Sequence, residues 1–222
     1  MILNEINVLV KKELHLEWRQ RYALHGLLLY LASTIFVCYL SFKAKQQAIN
    51  PITWNTLFWI ILLFIAINAI GKSFTQESTQ RNLFYYTIVS PEAIIYSKII
   101  YNSIVMIGIS LVGFFFYSWV MGNPVGNIPL YLVAIVLGGI GFASTLSLMA
   151  GIAAQGENSA TLMAVLSFPV IIPLLLLILK LAKSAMDGIS IQENWDEIAL
   201  LSSLDTIVIV LSGILFPFIW KH

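Results

Sequence analysis

The chain has 222 residues, of which 59% are hydrophobic and 10% charged, with a formal net charge of +1 and a mean hydropathy of +0.88. A soluble domain carries about 25% charged residues, so this balance excludes a water-soluble globular enzyme and excludes disorder. The near-zero net charge gives no electrostatic footprint for nucleic acid. The single cysteine, Cys38, excludes an intrachain disulfide framework and a cysteine-based zinc site.

Residues 1–22 come first. Leu3, Ile6, Val10, Leu14 and Trp18 share one side of a helix, and Lys11, Lys12, His15 and Arg19 share the other. Asn7 and Glu17 interrupt the apolar side. The pattern predicts an interfacial helix, with Trp18 and Tyr22 at headgroup depth. No cleavable signal peptide is expected, because this segment is too long and too mixed in charge.

Charge-free runs then mark the spans. A bilayer core takes about 20 apolar residues per helix. Tyr22 to Phe42 and Gln46 to Gly71 carry no formal charge, and neither does Ile99 to Gly156. This last run is too long for one helix, and the turn-rich segment from Gly122 to Pro129 divides it. Two further runs end the chain. Six transmembrane helices are predicted, near 24–42, 54–71, 99–121, 129–153, 161–181 and 198–219, in one all-α membrane domain. Strands of a barrel would alternate in polarity over about ten residues, and these runs do not.

Lysine and arginine set the expected orientation. Lys11, Lys12, Arg19, Arg21, Lys72, Arg81, Lys98 and Lys221 fall on one side, and Lys43, Lys45, Lys180 and Lys183 on the other. This distribution puts both termini in the cytoplasm.

Between the second and third spans lies the longest polar stretch, 72–98. Glu77 and Arg81 have the i,i+4 spacing of a helix-surface pair. The run from Leu83 through Phe84 and Tyr85 to Val89 is apolar and needs cover; Ser90-Pro91 ends it, and Glu92 begins a new helix running into Lys98 and the third span. A cytoplasmic helix that docks on a partner is the expectation. The segment from Ala66 to Ser73 fits a relaxed phosphate-loop pattern. It closes an apolar helix with no strand before it, so nucleotide binding is rejected and Lys72 is read as an anchor.

Several features inside the spans stand out. Gly139, Ala143, Ser147 and Gly151 form a small-residue stripe at spacing four, suited to close helix packing within the bundle or against a second copy. Pro169 and Pro173 interrupt one side of the fifth span, which is read as a kink and a hinge. Asp205 is the one acid deep in a hydrophobic segment, which makes it a functional candidate or the start of an interfacial turn. Asn68 and Asn102 are read as interhelical hydrogen-bonders. His15, His25 and His222 have no ligand spacing. No catalytic constellation and no metal site is apparent.

An N-terminal interfacial helix, six spans, and a loop of the form Phe74-x-x-Glu77…Leu83…Pro91…Lys98 together resemble type-2 ABC transporter permeases. Within them the chain resembles the CcmB family, the permease subunits of cytochrome c maturation. The carrying residues are Lys12-Glu13-Leu14 with Glu17 and Arg19, the segment from Phe168-Pro169 to Pro173-Leu174-Leu175, and Phe216-Pro217-Phe218. The resemblance implies that the chain is a non-catalytic subunit of the bacterial inner membrane. It implies a separate ATPase resembling CcmA, CcmC- and CcmD-like membrane partners, and a CcmE-like haem chaperone. Haem is then a substrate of the complex rather than a cofactor of this chain. ATP-driven motion would enter through residues 74–98 and move the first, second and fifth spans. A permease exporting a lipid, glycan or drug, and a non-transporting scaffold, are the alternatives.

Overall fold

The computed structural model describes residues 2–20, 22–44, 49–75, 89–154, 156 and 159–220. Among them are seven α-helices and one 3₁₀ turn: α1 (Ile2–Gln20), α2 (Tyr22–Ala44), α3 (Pro51–Thr75), α4 (Pro91–Met121), α5 (Ile128–Ala153), α6 (Ser159–Met186), the 3₁₀ turn Gln192–Asn194, and α7 (Trp195–Trp220). Six of the helices, α2 to α7, are long and apolar enough to cross a membrane. The described residues contain no strand.

Helix α4 starts at Pro91, and Glu92 and Lys98 belong to one continuous helix with the third span, as the sequence predicts. Proline at the first turn is compatible with helix, since no intrahelical donor is needed there. Asn127 caps α5, its side chain accepting from the Leu130 N–H at 3.1 Å.

Helix α5 is the central element and touches α3, α4, α6 and α7. Lipid tails are as apolar as leucine, so close packing rather than hydrophobicity holds such helices together. Glycines permit that closeness. A Cβ on Gly138 would sit 2.7 Å from the Trp59 ring of α3, and one on Gly139 would sit 3.1 Å from Ile107 of α4. One on Gly141 would meet Asp205 of α7 and Leu174 of α6 at 2.6 and 2.7 Å. The run Gly138-Gly139-x-Gly141 therefore turns a bare surface toward each neighbour in succession.

One end of the bundle is tied down firmly. Trp54, Phe58, Phe114, Tyr117 and Tyr131 form an aromatic cluster, with Phe114 stacked on Tyr131 at 5.0 Å between centroids. The Trp54 indole donates to the Gly122 carbonyl at 3.0 Å, and the Tyr117 hydroxyl donates to the Trp54 carbonyl at 3.1 Å. The turn after α4 joins the end of α6 by backbone bonds, Gly126 N–H to Met186 O and Asn127 N–H to Ala185 O. This is the far face. Helix α1 lies at the opposite, near face, against the start of α4.

Candidate functional site

Helix α1 has three faces rather than two. Four-residue steps keep side chains on one side of a helix. Glu5, Leu9, Glu13 and Glu17 follow that spacing and turn inward. Glu5 accepts from the Ser90 N–H at 3.2 Å and from its hydroxyl at 2.9 Å. Glu13 accepts from the Lys98 ammonium at 3.2 Å, and Glu17 from the Tyr101 hydroxyl at 3.0 Å. Leu9 packs on Ile94, Ile95, Ile99 and Phe216. Beside this acidic seam, the predicted apolar side is a flank: Leu3 is 81% exposed and Leu14 37%. Lys11, His15 and Arg19 are exposed as well. The apparent intrusion of Glu17 is thus explained, because it belongs to the seam.

From Glu13 the polar contacts run into the membrane. Lys98 is 4% exposed and also donates to the Ser73 carbonyl at 2.7 Å. Asn102, one turn deeper, donates to the Ser147 hydroxyl of α5 at 2.8 Å and to the Ser73 hydroxyl at 3.4 Å. The chain of contacts therefore joins α1, α3, α4 and α5. Ser73 and Ser90 flank residues 76–88, so α1 is bonded to one flank through Glu5 and to the other through Lys98.

Charge decides how firmly α1 is held. Burial by itself would raise the Glu13 carboxyl, but the ammonium groups of Lys98 and Lys12 and their hydrogen bonds outweigh it. Glu13 is held below its ordinary value and stays ionised at neutral pH.

The other expected site residues fall in several places. Pro91 opens α4, and Phe74 lies in the last turn of α3. Glu77, Arg81, Leu83, Phe84 and Tyr85 lie outside the described residues. Lys98 is turned inward to Glu13. Gly139 and Ser147 of the small-residue stripe face α4, through Ile107 and Asn102. Ala143 is buried in the core, and Gly151 is buried on the same helix. Pro169 and Pro173 are exposed on the outer side of α6, which continues as helix through both.

Asn68 corrects its expectation. It is exposed and donates to the Phe64 carbonyl of its own helix at 2.9 Å, not to a neighbour. With its side chain on the outer side of α3, the carbonyl one turn back is its partner. The segment Ala66 to Ser73 is the end of α3, not a loop that could surround phosphate.

Asp205 is 4% exposed, beside Gly141 and Leu174. Both carboxyl oxygens lack a hydrogen-bond partner among the described residues, and so does the hydroxyl of Thr145, one turn from Gly141 on α5. Asp205 lies near the middle of α7, so it is no interfacial helix start. His25 is exposed on α2. Among the described residues no three His, Cys, Asp or Glu side chains cluster as metal ligands.

Sequence reading missed Glu5, Ser73, Ser90 and Tyr101. The spacing 5, 9, 13, 17 carries the signal for Glu5. The serines had no signal, since they act through backbone groups or through short hydroxyls, that of Ser90 donating to Glu5 and that of Ser73 accepting from Asn102.

These features define a multi-pass membrane protein whose interfacial helix is fastened to the flanks of one segment between spans. The sequence profile of the family described as CcmB protein matches residues 4–220, and the chain belongs to that family. It is accordingly a membrane subunit of the ABC transporter system for cytochrome c maturation, a permease-type subunit served by an ATPase. Comparison with curated proteins gives no match, and comparison with solved structures gives none.

Proposed function

We propose that this chain couples ATP hydrolysis in a CcmA-like ATPase to haem delivery, or to release of a haem-loaded CcmE-like chaperone, together with CcmC- and CcmD-like subunits. The supporting observation is the attachment of α1 to both flanks of residues 76–88, through Glu5–Ser90 and through Glu13–Lys98–Ser73. In this reading ATP-driven motion enters through residues 74–98, with Phe84 and Tyr85 as the anchors on the ATPase, while Lys98, buried against Glu13, passes the motion on. A displacement there pulls on α1 and α4 together and reaches α5 through Asn102 and Ser147. The prolines of α6 provide the hinge. The chain itself supplies no ATPase chemistry. The excess of lysine and arginine in the sequence segments 1–22 and 72–98 supports a bacterial inner-membrane protein with both termini in the cytoplasm.

The test separates docking from transmission. Truncating buried aromatic anchors costs about 2 kcal/mol or more, so Phe84→Ala with Tyr85→Ala is expected to release the ATPase from membranes. Glu5→Gln with Glu13→Gln is expected to keep the ATPase bound but lower haem-loaded cytochrome c. Normal cytochrome c in the glutamine variant would reject α1 as the transmitting element. Unchanged co-purification in the alanine variant would reject the docking segment.

A further inference from the structure

On the far face, the start of α3 and the end of α6 enclose a cavity of about 570 Å³. Ile52, Leu179 and Met186 form apolar wall, and Lys180, Lys183 and Asp187 line it as well. The frame is held in place: Asn55 donates to the Leu179 carbonyl at 3.4 Å and accepts from the Tyr131 hydroxyl at 3.0 Å. The last turn of α6 is pinned by Gly126 and Asn127.

The charges in this cavity are arranged unusually. Lys180 lies 3.1 Å from Glu197 and is already compensated. Lys183 and Asp187 are one turn apart on α6 and both exposed, yet neither forms an ion pair among the described residues, with each other or with any other group. A simple anion would be attracted by Lys183 and repelled by Asp187, and a simple cation the reverse. A group carrying both charges satisfies both.

The surface leading to the cavity is apolar. Phe168, Ile172 and Leu176 are 67%, 43% and 62% exposed. They advance in four-residue steps along α6 and reach Lys180 at the next step. Such a stripe, on a membrane helix and ending in lysines at headgroup depth, suits acyl chains.

We propose that this cavity binds an aminophospholipid: the phosphate at Lys183, the primary ammonium at Asp187, and the acyl chains along the α6 stripe. The same headgroup chemistry exists in a soluble, deacylated form, and the experiment distinguishes the two sources.

The delipidated full-length protein is titrated with phosphatidylethanolamine, phosphatidylglycerol and phosphatidylcholine of identical acyl chains, and bound lipid is counted by native mass spectrometry. One phosphatidylethanolamine is expected to bind at least about 10-fold more tightly than either of the others, a difference of about 1.4 kcal/mol. Phosphatidylglycerol has no ammonium for Asp187, and phosphatidylcholine has no N–H donor. Lys183→Gln with Asp187→Asn is expected to erase the preference, and Lys183→Arg to keep it. Both positions are exposed, and circular dichroism checks that each variant is folded. Lys11→Gln on α1, at the other face, serves as the control and leaves the preference intact. Equal affinity for the three lipids, or an unchanged preference in the double variant, would overturn the proposal. So would displacement of the lipid by an equal concentration of glycerophosphoethanolamine, which would assign the site to the free headgroup.

Discussion

Glu13 and Lys98 meet at 3.2 Å where α1 crosses α4, with side chains only 15% and 5% exposed. An ion pair so far from water is costly to break from one side, because the remaining charge stays buried. Lys98→Met leaves Glu13 with Lys12 alone and removes a donor from the Ser73 carbonyl. The variant is expected to lose about 3–5 kcal/mol. The double variant Glu13→Gln, Lys98→Met is expected to recover part of it. A double-mutant cycle on thermal unfolding in detergent measures the coupling; additive losses would show that the pair contributes nothing.

Acid is expected to loosen α1 in a defined window. The carboxyl of Glu13 is held below its ordinary value of 4.5 in the folded protein. A depressed carboxyl contributes stability that is fully present above the unfolded value and is lost as pH falls through the folded one. Hydrogen exchange of α1 should therefore be slower in the parent than in Glu13→Gln throughout the neutral range. The difference should vanish only below pH 4.5. A difference that disappeared near pH 6 would point to a different group.

Two glycines should respond in opposite directions. A Cβ on Gly126 would lie 2.9 Å from the Gly188 Cα and 3.0 Å from the Met186 carbonyl, both backbone atoms that cannot rotate away. Gly126→Ala is expected to destabilise by about 1–3 kcal/mol, the usual cost of overpacking. Gly26 in α2 has nothing within 4 Å of such a Cβ. Gly26→Ala is expected to stabilise by up to about 1 kcal/mol through helix propensity. Melting temperatures of the two variants, compared side by side, decide this.

Asp205 invites a substitution that removes its acidic group but keeps its shape. Its oxygens have no partner among the described residues. Asp205→Asn should therefore leave stability unchanged or raise it by up to about 2 kcal/mol. An acid in this position is a functional candidate, so haem-loaded cytochrome c is expected to fall in the same variant. A fall in melting temperature would mean that the carboxyl holds a contact after all, and normal cytochrome c would make Asp205 dispensable.

Pro169 and Pro173 are exposed, so replacing them leaves no hole in the core. Each interior proline disfavours helix by about 3 kcal/mol relative to alanine. The variant Pro169→Ala, Pro173→Ala should insert and bind its ATPase normally while haem-loaded cytochrome c is lost. A well-assembled variant with normal cytochrome c would remove the hinge from the mechanism.

The membrane architecture was legible because lack of charge over about 20 residues has few other meanings. The helix from Glu92 through Lys98 into the third span was legible as well, but the burial of Lys98 was not, since it depends on Glu13, 85 residues earlier, which compensates it. Asn68 and Asn102 make the limit plain. Both are asparagines in apolar helices, yet one bonds to its own helix and the other joins three. Which side of a helix faces a neighbour depends on packing that no local pattern encodes. The small-residue stripe was visible as a pattern, but its partner, α4, was not. For Gly141 even the pattern gave no hint of the carboxyl beside it.

The backbone bonds from Gly126 to Met186 and from Asn127 to Ala185 bear on how the bundle can change shape. With the indole of Trp54 fixed to Gly122 as well, α3, α4, α5 and α6 share one clamped end. Such a clamp opposes sliding and favours splaying about it, most of all for α6, because Ser73, Lys98, Asn102 and Ser147 also join α3, α4 and α5 toward the near face. The largest excursion then falls on the near face, about 30 Å away at 1.5 Å per residue over a 20-residue span. A small rotation at the aromatic cluster is therefore magnified toward the near face, so the leverage of this fold favours the end where the glutamate seam lies.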